Sequence, residues 1–292
     1  MIKLKIVHWL KDTAHGPLSW DDIRAGERGM TGSEQSFMYL ARAQARLGHQ
    51  VICYIPTDDV GTFDGVEMID FRGAYPRFRK ADDADVAISW LSADALRGVN
   101  PKALRIHSIQ INDWMTCAYG FAEHVDVYVA ASNEHKKWLH SVPHHPGPDA
   151  QWEIIPNGVD LKRFQSTEKK QPLRFVHASS PDRGLHWLLY MWPEIRFAFP
   201  DAELHVYYEF KKWVAGFPEK PNSEPAMRAM YITGKLNAWG GQGKHGVYLH
   251  GAVAPEILAP ELQKSDIMLY PCDPVRPTEG FGVAVMESMA AG

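Results

Sequence analysis

The sequence predicts a two-domain α/β protein built on parallel sheets, and three observations carry that prediction. Short apolar runs without polar alternation recur along the chain, as in residues 3–10 (KLKIVHWL), 51–55 and 125–131 (VDVYVAA), the pattern of strands covered on both faces. Helical stretches with turn residues at their ends lie between them. The resulting strand–loop–helix–strand units require parallel crossovers. These units occur on both sides of a charged, polar stretch, residues 160–172 (DLKRFQSTEKKQP), which reads as a linker, and 292 residues suit two domains.

Bulk properties exclude several classes. The net charge of −4 calls for no nucleic-acid partner. Cys53, Cys117 and Cys272 form no CxxC pair, which argues against a zinc site and fits a reducing compartment. No apolar run approaches the ~20 residues of a membrane span. The N-terminus is too charged for a signal peptide and reads as a first strand. Hydrophobic residues make up 45% and charged residues 23%, enough for a sizeable core. Ten tryptophans suit sugar platforms as well as a core.

After the first strand, Thr31 and Glu34 have capping-box spacing and start a helix. Phe37, Leu40, Ala41 and Leu47 are expected on its buried face, and Gly48 at its C-terminal end. Gly29 and Gly32 do not make a GxGxxG fingerprint; a tight turn and a ligand-facing loop both stay open. Strands follow at 66–71 and 86–90. Asp82, Asp83 and Asp85 precede the second of these, the wrong end of a parallel sheet for a metal-bridged phosphate, and read as a solvated turn. Residues 104–111 form a strand ending in Asn112, Asp113 and Trp114, polar groups at the end where α/β crevices open. His107 lies inside that strand and reads as structural. Ser132 caps a helix over 132–140. His140, His144 and His145 resemble a metal cluster, but they sit in a Pro-rich loop without helical spacing. A short strand then ends in the Pro156-Asn157-Gly158 turn.

The second domain opens with a strand at 173–178 and the loop Ser179 to Gly184, which contains Arg183. The next helix turns Leu185, Leu188, Leu189, Trp192 and Ile195 to one side, with Pro193 as a kink. Strands are expected at 202–208, 247–250 and 267–270, with a helix at 255–264. Residues 211–244 mix helical and Gly-rich parts and do not divide by pattern. The chain closes on a Pro-rich loop and on Thr278-Glu279-Gly280-Phe281-Gly282, which opens a helix. Glu279 and Glu287 are then the loop carboxylate and one about a turn and a half inside. Gly280 and Gly282 admit a ligand to the backbone. A helix start favours an anion such as a diphosphate, and a carboxylate beside it can accept hydrogen bonds from sugar hydroxyls. Taken alone, the two acids read as solvated and Arg183 as a surface arginine.

In this order the motifs resemble those of the family 4 retaining glycosyltransferases of the GT-B fold, over nearly the whole chain. The Gly29 loop and the helix ending Arg46-Leu47-Gly48-His49-x-Val51 are similar to the family's N-terminal pattern, and Ser132 to Leu139 to its Ser-x-x-x-Lys helix. Residues 154–164 (IIPNGVDLKRF) resemble its interdomain signature. Arg183-Gly184-Leu185 stands where the family has Lys-Gly followed by an apolar residue. Glu279, seven residues, then Glu287-Ser288-Met289-Ala290-Ala291-Gly292 resembles its two-glutamate block.

The resemblance implies two Rossmann-like domains facing a cleft: an acceptor domain over 1–160 and a nucleotide-sugar donor domain over 161–292, the latter expected to be truncated. It implies that Glu287 holds the donor ribose, Glu279 the transferred sugar, and the backbone of Gly280, Phe281, Gly282 and Val283 sugar or phosphate. Arg183 would neutralise the diphosphate, and the Gly32 loop would close over it. The family's basic residue a few positions before Arg183 is absent here, where the chain reads His177-Ala178-Ser179. Its histidine near the reacting sugar is replaced by Asn112 or Gln110; Asn112 joins Glu279 and Arg183 as a catalytic candidate. No metal or other cofactor is expected beyond the nucleotide-diphosphate-sugar co-substrate. The partners are that donor and a glycan, lipid-linked or small-molecule acceptor, met in the cytoplasm or at a membrane surface. A GT-B-shaped nucleotide-sugar epimerase and a non-catalytic nucleotide-sugar binding protein are the alternatives.

Overall fold

The computed structural model describes residues 2–13, 16–20, 29–72, 83–112, 120–142, 146, 149–215, 223–239, 243–272 and 279–292. Contacts divide the chain into two units. The first is Met1–Ala25, Met30–Gly158 and Glu279–Phe281; the second is Gly26–Gly29, Val159–Thr278 and Gly282–Gly292.

In the first unit, β1 (Lys5–Leu10), β2 (Gln50–Ile55), β3 (Gly61–Phe63), β4 (Val66–Asp70), β5 (Val86–Trp90), β6 (Leu104–Ile109), β7 (Val127–Ala130) and β8 (Trp152–Ile154) form one sheet. Its order is β3-β4-β2-β1-β5-β6-β7-β8, parallel except for the β3–β4 pair. Alternate residues of β1 feed two cores, which is why the run from Ile6 to Leu10 is apolar on both faces apart from His8. Ile6 and Leu10 join Phe37, Val51 and Cys53, while Val7 and Trp9 join Ile52, Tyr54 and Ala87. Each such side chain contributes about 1.5–3 kcal/mol on burial.

Two histidines stand in the buried strands. His8 Nε2 lies 2.7 Å from Gln44 Oε1, and its Nδ1 accepts the Trp90 indole N–H at 3.2 Å. His107 Nδ1 lies 2.9 Å from Ser89 Oγ. Burial pushes both imidazoles down to about 4.

Helix α1 (Gly32–Arg46) begins with the expected capping box: Glu34 N–H donates to Thr31 Oγ1 at 3.3 Å and Thr31 N–H to Glu34 Oε2 at 2.7 Å. Its buried face is Glu34, Gln35, Phe37, Met38 and Ala41. Leu40 and Leu47 are exposed, contrary to the periodicity reading. The helix phase set by Phe37 and Ala41 puts Met38, not Leu40, inward, and Leu47 is already the C-terminal cap. The β3–β4 hairpin is an element the reading missed. Asp64 and Gly65 both have positive φ, 49° and 82°, the two-residue turn that matches strand twist. Helix α2 (Asn133–Ser141) is capped by Ser132, whose Oγ accepts from His135 N–H at 3.0 Å.

In the second unit, β9 (Gln171–His177), β10 (Glu203–Val206), β11 (Val247–Leu249) and β12 (Ser265–Met268) form a parallel sheet in the order β11-β10-β9-β12. The connecting helices are α3 (Leu185–Ala198), α4 (Phe210–Ala215), α5 (Glu224–Ala238) and α6 (Pro255–Lys264), and α7 (Val283–Ala291) closes the chain. On one face, Phe175, Leu204, Val206 and Val247 pack against Leu188, Leu189 and Trp192 of α3 and Ile232 of α5. On the other, Val176 and Tyr207 meet Leu262 of α6. Helices α4 and α5 occupy the stretch whose pattern did not divide.

The stretch read as a linker is partly structured. Asp160 Oδ1 accepts from Lys162 N–H at 3.1 Å and starts a 3-10 turn, Leu161–Phe164, that packs against α6 and α7. Among the described residues no helix is long and apolar enough to cross a membrane.

Candidate functional site

In the second unit, the loops at the C-terminal ends of β9 and β12 are tied together. His177 Nδ1–H donates to Leu269 O at 3.1 Å, and its ring stacks on Tyr270 at 6.1 Å. Ser179 Oγ lies 3.4 Å from Tyr270 Oη. Burial pushes the His177 imidazole down, so it is held as the neutral Nδ1–H tautomer. Gly184, with φ +96°, precedes α3, and a Cβ there would lie 1.9 Å from Pro271 O. The obstacle is backbone and cannot turn aside, so this position requires glycine both for its left-handed φ and for the approach.

Arg183 sits in the turn closed by its own N–H to Ser180 O at 2.9 Å. Its Nη1 contacts Asp182 Oδ2 at 2.5 Å, with both side chains part-exposed at 23% and 32%. Such a contact is worth about 0–1 kcal/mol, so an anion can displace it cheaply. The site therefore combines a guanidinium, the start of a 14-residue helix and the C-terminal ends of parallel strands.

Glu287 lies one turn inside α7 and is buried. Its Oε1 accepts from Arg163 Nη2 at 2.7 Å, and the two side chains are 4% and 7% exposed. Desolvation raises the Glu287 carboxyl above its ordinary range, while the Arg163 charge pulls it back. Gly282 caps α7 and its carbonyl accepts from Met286 N–H at 3.0 Å; Val283 is the first helical residue.

In the first unit, α2 organises a second cluster. His135 Nδ1 accepts from Ala131 N–H at 3.3 Å, and its Nε2–H donates to Ile111 O at 3.2 Å. Trp138 Nε1–H donates to Asn112 O at 3.0 Å, so α2 fixes the chain where it leaves β6. Gln110 Oε1 accepts from Asn157 Nδ2 at 2.9 Å, which ties the Pro-Asn-Gly turn to the same strand end. Gly280 belongs to this unit: its carbonyl accepts from Ser132 Oγ at 2.8 Å, and a Cβ on it would stand 3.0 Å from the His135 ring. Glu279 Oε1 accepts from Phe281 N–H at 3.2 Å. Burial lowers the His135 pKa, with the nearby Glu279 charge acting against it. Gly32 is the first residue of α1, beside the Thr31–Glu34 capping box.

Residues 173–292 match the family model described as Glycosyl transferases group 1. No curated protein sequence matches the chain significantly. Among solved structures, a glycosyltransferase from Rickettsia africae is similar with a TM-score of 0.59 at 14% identity, over 99% of this chain and 77% of its own. The catalytic domain of starch synthase IV from Arabidopsis thaliana, bound to ADP and acarbose, gives 0.56 at 12% identity over 99% and 81%. A mutant of TarM from S. aureus, in complex with fondaparinux, alpha-GlcNAc-glycerol and UDP, gives 0.50 at 14% identity over 73% and 41%. This chain thus spans 41% of the length of that TarM chain.

The fold is GT-B.

In this GT-B chain the candidates fall into two groups, each within one unit. Arg183, Gly282, Val283 and Glu287 belong to the second unit; Gly32, Asn112, Glu279, Gly280 and Phe281 belong to the first. The reading missed Arg163, the buried partner of Glu287. Its signal was present in the IIPNGVDLKRF motif, but no local rule connects positions 124 residues apart. It also missed His135 and Trp138, which sit in the Ser132 helix at i+3 and i+6 from the cap. Asp82, Asp113, Trp114, Cys117, His144, His145 and Thr278 lie outside the described residues. His140 packs edge-on to Trp152 at 4.9 Å. Among the described residues no group of three His, Cys, Asp or Glu is arranged for a metal.

Proposed function

We propose that this protein is a glycosyltransferase of the family 4 retaining type. It moves a hexosyl group from a nucleotide-diphosphate-sugar to an acceptor hydroxyl, with no metal cofactor. The observation that carries the reading is the Arg183–Gly184 turn, which opens α3 at the C-terminal end of β9 inside the stretch matched by the glycosyltransferase model.

The leaving diphosphate gains negative charge as the anomeric carbon becomes oxocarbenium-like. Arg183 and the α3 N-terminus are the groups that answer it. One well-aimed donor of this kind contributes roughly 3 kcal/mol to the barrier. Glu287, with Oε1 taken by Arg163, offers Oε2 to the ribose hydroxyls. Glu279 is assigned the hydroxyls of the transferred sugar. It also holds the Phe281 N–H, so that amide is already engaged within the loop. Asn112, held through its carbonyl by Trp138, is assigned to the reacting sugar.

The starch synthase neighbour binds ADP and the TarM neighbour binds UDP, so these two nucleotides and their glucose and N-acetylglucosamine conjugates come first in the test. Thermal stabilisation by one nucleotide-sugar, followed by acceptor-dependent release of the nucleoside diphosphate, is expected. Conversion of the donor without acceptor would indicate an epimerase. Stabilisation with no turnover across an acceptor panel would indicate a binding protein. Either result sinks the transferase reading.

A further inference from the structure

We propose that the outer face of α3 and α5 is a two-fold interface with a second copy of this chain. Helix α3 is apolar on two sides. One side is the core of the second unit. On the other, Trp187, Tyr190, Met191 and Phe197 share a stripe at i, i+3, i+4 and i+10, and all four are exposed, Tyr190 at 63% and Phe197 at 91%. Trp187 and Tyr190 meet edge to face at 6.5 Å. Helix α5 packs beside α3 on the same side of the sheet and adds Met227 and the 67%-exposed Met230. A helix with apolar side chains on two opposite sides has a second apolar face to cover.

Area and composition both fit a protein partner. At their fractional exposures the six side chains present on the order of 800 Å², about what each partner gives to a standard interface. Aromatic residues and Met are the types enriched at interface centres, where charge is depleted. A lipid surface would need cationic residues around the stripe. The basic residues of these helices are turned to partners within the unit. Arg196 donates to Ala202 O at 2.8 Å, Arg228 pairs with Glu224 at 2.5 Å, and Lys235 lies over the Tyr231 and Trp239 rings at 5.7 and 6.0 Å. With Glu194 and Glu224 the two helices carry three basic and two acidic side chains, close to balance. A second copy offers the same stripe, apolar apart from the exposed Glu194 at i+7 from Trp187, so a two-fold axis sets apolar against apolar with one acidic side chain from each copy.

Sedimentation velocity of the full chain tests this independently of any catalytic reading. The expected species is a dimer of the 33.0 kDa chain. Tyr190→Glu with Phe197→Glu should weaken self-association roughly 100-fold or more while leaving the far-UV circular dichroism intact. Met230→Lys, on the other helix, should act in the same direction by about 10-fold and serves as the test if the double variant does not fold. A wild-type protein that stays monomeric at about 100 μM, well above the dissociation constant of such an interface, would overturn the proposal. So would a dimer unaffected by both variants, or a monomer that floats with phosphatidylglycerol vesicles.

Discussion

Replacing Glu287 by alanine should destabilise the second unit before it changes donor binding. The carboxylate lies 2.7 Å from Arg163 Nη2, and with side chains 4% and 7% exposed neither charge is screened by solvent. Removing one member of a buried pair costs about 3–5 kcal/mol, because the remaining charge keeps its desolvation penalty. The Glu287 carboxylate is itself disfavoured by burial, which places the expected loss near the lower end, about 3 kcal/mol. For a unit of this size that is a fall of roughly 10 °C in melting temperature. Glu287→Gln should lose less, and Arg163→Met with Glu287→Met should return to within about 1–2 kcal/mol of the parent, since neither charge is then stranded. The assay is a double-mutant cycle read by urea titration and thermal melts, with nucleotide affinity measured below every variant's transition. A Glu287→Ala protein melting within about 1 °C of the parent, with a coupling energy under about 0.5 kcal/mol, would refute the reasoning. Glu287 would then be available to a ligand without structural cost.

Three further outcomes are expected. Arg183→Ala should lose little stability with the Asp182 contact, which is part-exposed and worth about 0–1 kcal/mol. It should weaken nucleoside-diphosphate binding roughly 10–100-fold in calorimetry, the value of charge-assisted bonds to phosphate. Gly184→Ala should lose on the order of 3 kcal/mol in urea denaturation, from the left-handed backbone together with the clash at Pro271 O; a loss under about 1 kcal/mol contradicts the close approach. The first unit should lose stability in acid. The buried His8 and His107 have pKa values lowered from 6.5 to about 4, so the unfolded chain takes up protons that the folded one refuses. That stability is fully present above about pH 6.5 and is lost as pH falls through about 4, on the order of 3 kcal/mol for each histidine. A pH-independent urea midpoint across this range would contradict it.

The parts of the fold that were legible in the sequence are those that local chemistry decides. Parallel strands covered on both faces leave continuous apolar runs, so β1, β2, β5 and β7 were found as strands. The Thr31–Glu34 capping box and the Ser132 cap are local hydrogen-bond arrangements, and both are present. Leu40 and Leu47 misled because an apolar side chain signals a helix but not its phase, and Met38 satisfied the phase as well. The β3 strand is three residues long, too short to show a period, although Asp64-Gly65 announced the turn. Residues 210–238 hold one short helix, Phe210–Ala215, and one longer one, Glu224–Ala238, in a stretch whose mixed composition sets no clear period. The site divided along the same line. Arg183 and the Gly282 helix start follow from strand–loop–helix grammar. The Arg163–Glu287 pair joins positions 124 apart in the chain and exists only once the fold has formed. The hold of His135 and Trp138 on the end of β6 is likewise tertiary, although both residues lie in a helix that was itself predicted.

The backbone contact between Gly184 and Pro271 has a practical consequence for redesign. A library that randomises the loop after β9 to change donor preference should hold position 184 fixed. Any side chain there meets a main-chain carbonyl, so library members would fail by misfolding and be counted as inactive. Position 183, with a part-exposed side chain and no left-handed backbone, is the one to vary for ligand recognition.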